Sequence, residues 1–163
     1  MKFEIVELDD FSGPKATIYS VRIDDEEDTI FEKFLEENKD KFEVEVLDIL
    51  ERLDLICFEH GARRRHFKEN EGGLGDLICA LYDSPAANLR LYCIRLGSAV
   101  IILGGGGHKP KTIRALQEDI KLTQENYLLR EISKQLRLRM KDGEIFWLND
   151  AELGGNLIID TDE

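Results

Sequence analysis

Apolar and polar residues alternate through "KFEIVEL" (2–8) and "ATIYSVRI" (16–23), the period of two that sends every second side chain to one face of a strand. The intervening "DDFSGPK" gathers turn formers, so the chain is expected to open with a strand hairpin. The pattern then changes period. In "DDEEDTIFEKFLEEN" (24–38), Ile30, Phe31, Phe34 and Leu35 form a helical stripe behind a run of acids suited to a helix N-terminus. In "FEVEVLDILERLDLICFEH" (42–60), Phe42, Val46, Ile49, Leu50, Leu53, Ile56 and Cys57 keep helical spacing, which predicts the second arm of a helical hairpin with acidic outer faces.

A polar segment bounded by glycines, "GARRRHFKENEGGLG" (61–75), reads as a loop. Three strands are expected next, "DLICALYD", "NLRLYCIRL" and "AVIILGG", joined by "SPAAN" and by a two-residue hairpin signal at Gly97-Ser98. They form an antiparallel meander, and the near-continuous apolarity of the last two implies cover on both faces. Thr112 is the expected N-cap of a short helix carrying Ile113, Leu116 and Ile120. A longer helix follows over 123–141, with Leu128, Leu129, Ile132 and Leu136 as its stripe and Arg137, Arg139 and Lys141 in its last turns. "EIFWL" and "NLIID" are expected to close the chain as an edge hairpin, with Trp147 as its core anchor.

The length, 163 residues, suits one domain with a small appendage. The net charge of −12 is unevenly spread: residues 1–59 carry 7 Lys+Arg against 19 Asp+Glu, residues 60–141 carry 15 against 8, and residues 142–163 carry none against 7. Such a division is what a basic functional segment between acidic arms would give, although charges distant in sequence can also interleave on a folded surface. An acidic first segment could fold over the basic surface as a polyanion mimic. No apolar run reaches the length of a membrane span, and "MKFEIVELDD" is acidic where a secretory leader would be basic and then apolar, so a cytoplasmic location is expected. Cys57, Cys79 and Cys93 each lie inside an apolar run without the close pairing of a zinc site, and are expected as buried thiols with no metal.

The run "GGGGHKPKT" (104–112) fits neither a Walker loop nor a dinucleotide loop. The glycines are therefore expected as a flexible corner after a strand. Beyond them, His108, Lys109 and Lys111 place a titratable group beside two cations, the components that attack of a ribose 2′-hydroxyl on its phosphate requires. A solvated basic turn would have the same composition. Arg90, in the apolar strand "NLRLYCIRL", must reach a rim, a carboxylate or a ligand, and by period two it shares a face with Tyr92. Arg63, Arg64, Arg65 and Lys68 in "ARRRHFK" suit contacts to a phosphate backbone or a solvated loop equally.

The order of these pieces, with "FKENEGGLGDLICALYD" running into "LRLYCIRLGSAVIILGGGGHKPKT" and a following helix, resembles the RelE/HigB-type toxins of bacterial toxin-antitoxin systems. The resemblance covers about residues 29–141 and is closest over 67–120. It implies an α+β fold: a small antiparallel sheet packed by a helical hairpin and C-terminal helices. Residues 1–28 would be an acidic hairpin extension, and 142–163 an acidic tail. It also implies a ribosome-dependent mRNA endonuclease that uses neither metal nor cofactor, with ribosome, mRNA and a helix-turn-helix antitoxin as partners and no membrane. Arg90 falls at the family's arginine that contacts the scissile phosphate, Lys109 and Lys111 near its basic residues after the next strand, with His108 as base or acid. Lys68 matches the lysine before the glycine-bearing turn, and Arg63 to Arg65 would hold the RNA backbone. The chain departs from the family in "DLICALYD", which lacks the strand cations of the ribonucleases, and in its acidic ends. Those departures leave open a fold relative without chemistry that binds a protein partner, an antitoxin or DNA gyrase.

Overall fold

The expected first hairpin forms, from β1 (Lys2–Glu7) and β2 (Thr17–Ile23). The computed structural model describes residues 1–69, 71–73, 75, 77–81, 87–109 and 119–162. Helices α1 (Ile30–Asn38) and α2 (Glu43–Leu55) follow, α2 running on through a wider π-type turn over Ile56–His60. After a 3₁₀ turn at Arg64–His66 come the short β3 (Phe67–Lys68), then β4 (Ile78–Leu81), β5 (Leu89–Leu96), β6 (Val100–His108) and the long α3 (Ile120–Lys141). Strands β7 (Ile145–Asn149), β8 (Glu152–Gly155) and β9 (Ile158–Asp160) complete the described chain. The class is α+β. Thr112, Ile113 and Leu116 of the expected short helix lie outside the described residues, while Ile120 opens α3 and is exposed rather than part of an apolar stripe. The cap seen on α3 is Asp119, whose carboxylate accepts the Leu122 N–H at 2.7 Å.

The sheet is larger than a small antiparallel one. Seven strands lie in the order β3-β4-β5-β6-β2-β1-β9, and β2 runs parallel to β6 while the other pairs are antiparallel. The opening hairpin is thus interior to the sheet. Residues 17–21 are buried without a break, as expected of a strand covered on both faces. Ser20 in their midst is satisfied: its hydroxyl donates to the Leu103 carbonyl at 2.7 Å and accepts the Phe31 N–H at 3.3 Å, tying β6 to α1. This placement leaves the acidic first segment no freedom to act as a cover over the basic surface. The tail also differs from an edge hairpin. β7 pairs with β8 in a separate two-stranded sheet, while β9 crosses back to β1.

The pleat divides the core into two layers. Leu89, Leu91 and Cys93 pack with Phe31, Phe34, Val46 and Leu53 under α1 and α2, whereas Tyr92 and Ile94 pack with Leu129, Ile132 and Leu136 of α3. A Thr29/Glu32 capping box starts α1, each side chain bonding the other's backbone N–H at 3.2 and 2.9 Å. Trp147 is not a core anchor: Ile145 carries the buried side of β7, and Trp147 stays 42% exposed beside Phe146 and Leu148.

The four glycines do not turn a corner. They extend β6, with Gly106 opposite Leu91 and Gly107 opposite Arg90, and the register shifts between Leu91 and Cys93, so Gly104 and Gly105 together oppose Tyr92 as a bulge. Lack of side chains there lets α3 lie directly on the strand. A Cβ on Gly104 would stand 2.8 Å from Leu129 Cδ2, and one on Gly105 would overlap the Glu125 carboxylate. The hairpin before β6 has three loop residues, since Leu96 pairs with Val100, and Gly97 holds the positive φ of 62°.

All three cysteines are free and buried. Burial pushes the Cys57 thiol from its usual value near 9 to about 12, and burial with Cys79 beside it raises Cys93. In native protein none should react with a thiol-directed disulfide reagent within minutes, and all three should react in denaturant. A native thiol reacting at once contradicts the packing. Because the folded pKa is the higher, the stability from keeping Cys57 neutral is complete below about pH 9 and declines as pH rises toward 12.

Candidate functional site

Arg90 stands on β5 over the α3 side of the sheet, sharing that face with Tyr92, as the alternation of β5 requires. It is only 6% exposed. Gly107 lies directly across on β6 and offers no side chain to cover it. The Arg90 Nη1 is 3.8 Å from a Glu71 carboxylate oxygen, at the limit of an ion pair, and its buried Nε has no hydrogen-bond partner. A buried guanidinium N–H without an acceptor is costly in a finished core and expected in a site shaped for an anion.

That guanidinium lines an open cleft of about 250 Å³ between β5 and α3, below the ~300–1,000 Å³ of drug-sized sites. Thr123, Asn126, Tyr127 and Arg130 enter it from α3, spaced three, four and seven residues along one helical stripe. The Arg130 guanidinium carbon lies 5.5 Å from the Tyr127 ring centroid, a cation–π arrangement. Asn126 Nδ2 donates to the Glu71 carbonyl at 2.6 Å and so pins the Glu71 backbone to the helix. Burial, then the Glu71 charge, pushes the Tyr92 hydroxyl above its usual range, while Arg90 opposes the shift. Tyr92 therefore stays a neutral donor. Lys68 faces the same side: it pairs with Ala80, Ala80 pairs with Tyr92, and both partners belong to the α3-side core. The cleft side thus presents Arg90, Arg130 and Lys68 against Glu71.

The other predicted residues are dispersed. His108 ends β6 opposite Leu89 and stacks on Phe42 ahead of α2, ring centroids 5.6 Å apart at 14°. It therefore projects from the opposite face to Arg90, and the two do not meet. Lys109 is buried, its N–H donating to the Asn88 carbonyl at 2.5 Å. Asn88 is in turn gripped by the Glu45 carboxylate of α2, its Nδ2 at 2.6 Å. Lys111 lies outside the described residues.

Arg63, Arg64 and Arg65 sit on the turn before β3, at the sheet's far edge. Arg63 Nε donates to the His60 carbonyl at 2.9 Å, Arg64 makes a two-pronged bond to Glu69 with both contacts at 2.9 Å, and Arg65 is exposed. Beside them the His60 and His66 rings stack with ring nitrogens 3.1 Å apart. Burial first, then Arg65, holds the His66 imidazole below its usual range.

Glu71, Asn126, Tyr127 and Arg130 did not stand out in the sequence. The polar stripe Thr123-Asn126-Tyr127-Arg130 running beside the apolar stripe of α3 is the signal that marks them. Among the described residues no cluster of three or more His, Cys, Asp or Glu could hold a metal ion, and no helix is long and apolar enough to cross a membrane. No model of a known protein family matches the chain, and no curated protein or solved structure matches it either.

Proposed function

We propose that the Arg90 cleft receives an RNA phosphodiester and that the chain is a RelE/HigB-like toxin, cutting mRNA on the ribosome by 2′-hydroxyl attack without a metal. The observation that carries this reading is the buried Arg90 guanidinium, with one N–H lacking any protein acceptor, opening into a cleft that also holds Arg130. In the reaction the 2′-oxygen loses its proton to a base and bonds to phosphorus. The P–O5′ bond breaks, the 5′-oxygen takes a proton from water at the cleft mouth, and a 2′,3′-cyclic phosphate remains. Arg90 and Arg130 stabilise the extra charge on the phosphoryl oxygens. Glu71, the carboxylate beside Arg90, is the group we assign to take the proton. Tyr127, exposed at the mouth, offers a ring on which a neighbouring base can stack. Lys68 supplies a backbone contact.

His108 has no part in this chemistry, because it projects toward Phe42 on the other side of the sheet. Under induced expression, His108→Ala should arrest growth within about twofold of wild type, while Arg90→Ala should not arrest it, a contrast of at least ~100-fold in cleavage. Loss of arrest in the His108 variant with arrest intact in the Arg90 variant would overturn the assignment.

The second reading is a binding protein of the same fold that holds an antitoxin or gyrase. It is favoured by β4, whose Ile78, Cys79, Ala80 and Leu81 are all buried and bring no cation to the site. Growth arrest with an intact transcriptome would establish that reading in place of the first.

A further inference from the structure

We propose that the solvent face of α2 and its π-type turn is a docking surface for a basic amphipathic helix of another protein. A surface helix ordinarily keeps one apolar stripe and turns it inward. Here the inward stripe is complete, with Val46, Leu53, Ile56 and Cys57 buried under the sheet. A second stripe faces solvent: Val44 is 75% exposed, Leu47 57% and Phe58 48%, with Leu55 between the last two. The spacing of 44, 47, 55 and 58 returns to one side of the helix. Much of their apolar area stays in solvent after folding, in two pairs of side chains separated on the same side by the exposed Glu51, and exposed apolar area of this kind, rimmed by polar residues, marks an interaction surface.

Charge complementarity identifies the occupant. A groove of about 470 Å³ runs along Leu55 and Phe58, where four carboxylates, Asp48, Glu51, Asp54 and Glu59, outnumber the single cation Arg52 beside the His66 ring. Apolar knobs inside a carboxylate rim fit a helix with leucine-like anchors at i, i+3, i+4 and i+7 flanked by lysine or arginine. The stripe from Val44 to Phe58 spans about 21 Å at ~1.5 Å per residue, the length of a four-turn partner. The surface lies on the α1/α2 side of the sheet, away from the Arg90 cleft. A partner there leaves the cleft open, so the contact tethers the protein rather than plugging it. The proposal stands whether or not the cleft cuts RNA.

The test uses the full chain and a fluorescein-labelled 16-residue peptide of Leu, Ala and Lys, leucines at i, i+3, i+4 and i+7, read by fluorescence anisotropy in ~0.15 M salt. The ordered peptide should bind at least ~10-fold tighter than a scramble of the same composition. Leu47→Ser/Phe58→Ser should weaken binding at least ~10-fold, Asp48→Asn/Glu51→Gln/Asp54→Asn should do likewise, and Arg90→Ala should leave it unchanged. Circular dichroism confirms that each variant folds. Equal binding of ordered and scrambled peptides, or binding indifferent to Leu47→Ser/Phe58→Ser, would overturn the proposal. So would a dimer seen by light scattering that the same double variant disperses, since the stripe would then belong to a second copy.

Discussion

Gly106→Ala is expected to lower stability by about 4 kcal/mol, the upper range for a single substitution, while Gly107→Ala should melt within a few degrees of wild type. The difference lies in what each new methyl would meet. At Gly106 it would overlap the Arg90 carbonyl oxygen and come within 3.0 Å of Leu91 Cα, both backbone atoms of the neighbouring strand. Relief requires β5 and β6 to part at their Leu91–Gly106 pairing, in the middle of the sheet. At Gly107 the methyl would stand 3.1 Å from Lys121 Cγ, part of a flexible side chain that can swing away. At roughly 2–4 °C per kcal/mol for a chain of this size, the Gly106 variant should melt about 8–16 °C lower. With total stabilities of about 5–15 kcal/mol, much of it is expected in the insoluble fraction. Thermal melts by circular dichroism decide; equal melting temperatures would contradict the close approach of β5 to β6.

Arg90→Ala is expected to abolish cleavage, a loss of at least ~100-fold, with a smaller loss of stability than Gly106→Ala. The Arg90–Glu71 contact is long, 3.8 Å, but both side chains are largely buried, so truncation leaves the Glu71 carboxylate without its cation at a cost of about 1–3 kcal/mol, offset in part by removal of an N–H that has no acceptor. Arg90→Lys should not restore activity, because an ammonium is a point charge without the planar fork that grips two phosphoryl oxygens. Lysine rescue to near wild-type rates would mean that only charge matters there. A melting temperature lowered as far as that of Gly106→Ala would mean that Arg90 is structural.

Local periodicity made most elements legible. The hairpin, α1, α2, α3 and the three meander strands follow from spacings of two and three to four, and the shared face of Arg90 and Tyr92 follows from alternation alone. Long-range pairing did not. Nothing in "ATIYSVRI" says that β2 runs parallel to β6, some 80 residues later, or that β9 returns to β1. Glycine carries a turn signal because of its freedom, yet in β6 it answers a steric demand from α3, visible only once Leu129 and Glu125 are in place. His108 failed as a partner of Arg90 for a similar reason. Sheet face depends on register, one residue of shift inverts it, and the bulge opposite Tyr92 sets the register here.

The segregation of charge along the chain is only partly kept in the fold. Exposed acids of α2 lie outside the apolar side chains that cover one face, and Arg90, Arg130 and Lys68 line the other, where Glu71 and Glu125 accompany them.

The most direct measurement is a transcriptome-wide map of mRNA 5′ ends after brief induction in a heterologous bacterium, comparing wild type with Arg90→Ala at matched protein levels. The expected result is new 5′ ends within coding regions, in register with codons, absent from the Arg90 variant. An unchanged map for wild type, or the same cuts with Arg90→Ala, would contradict the assignment of the cleft to RNA cleavage.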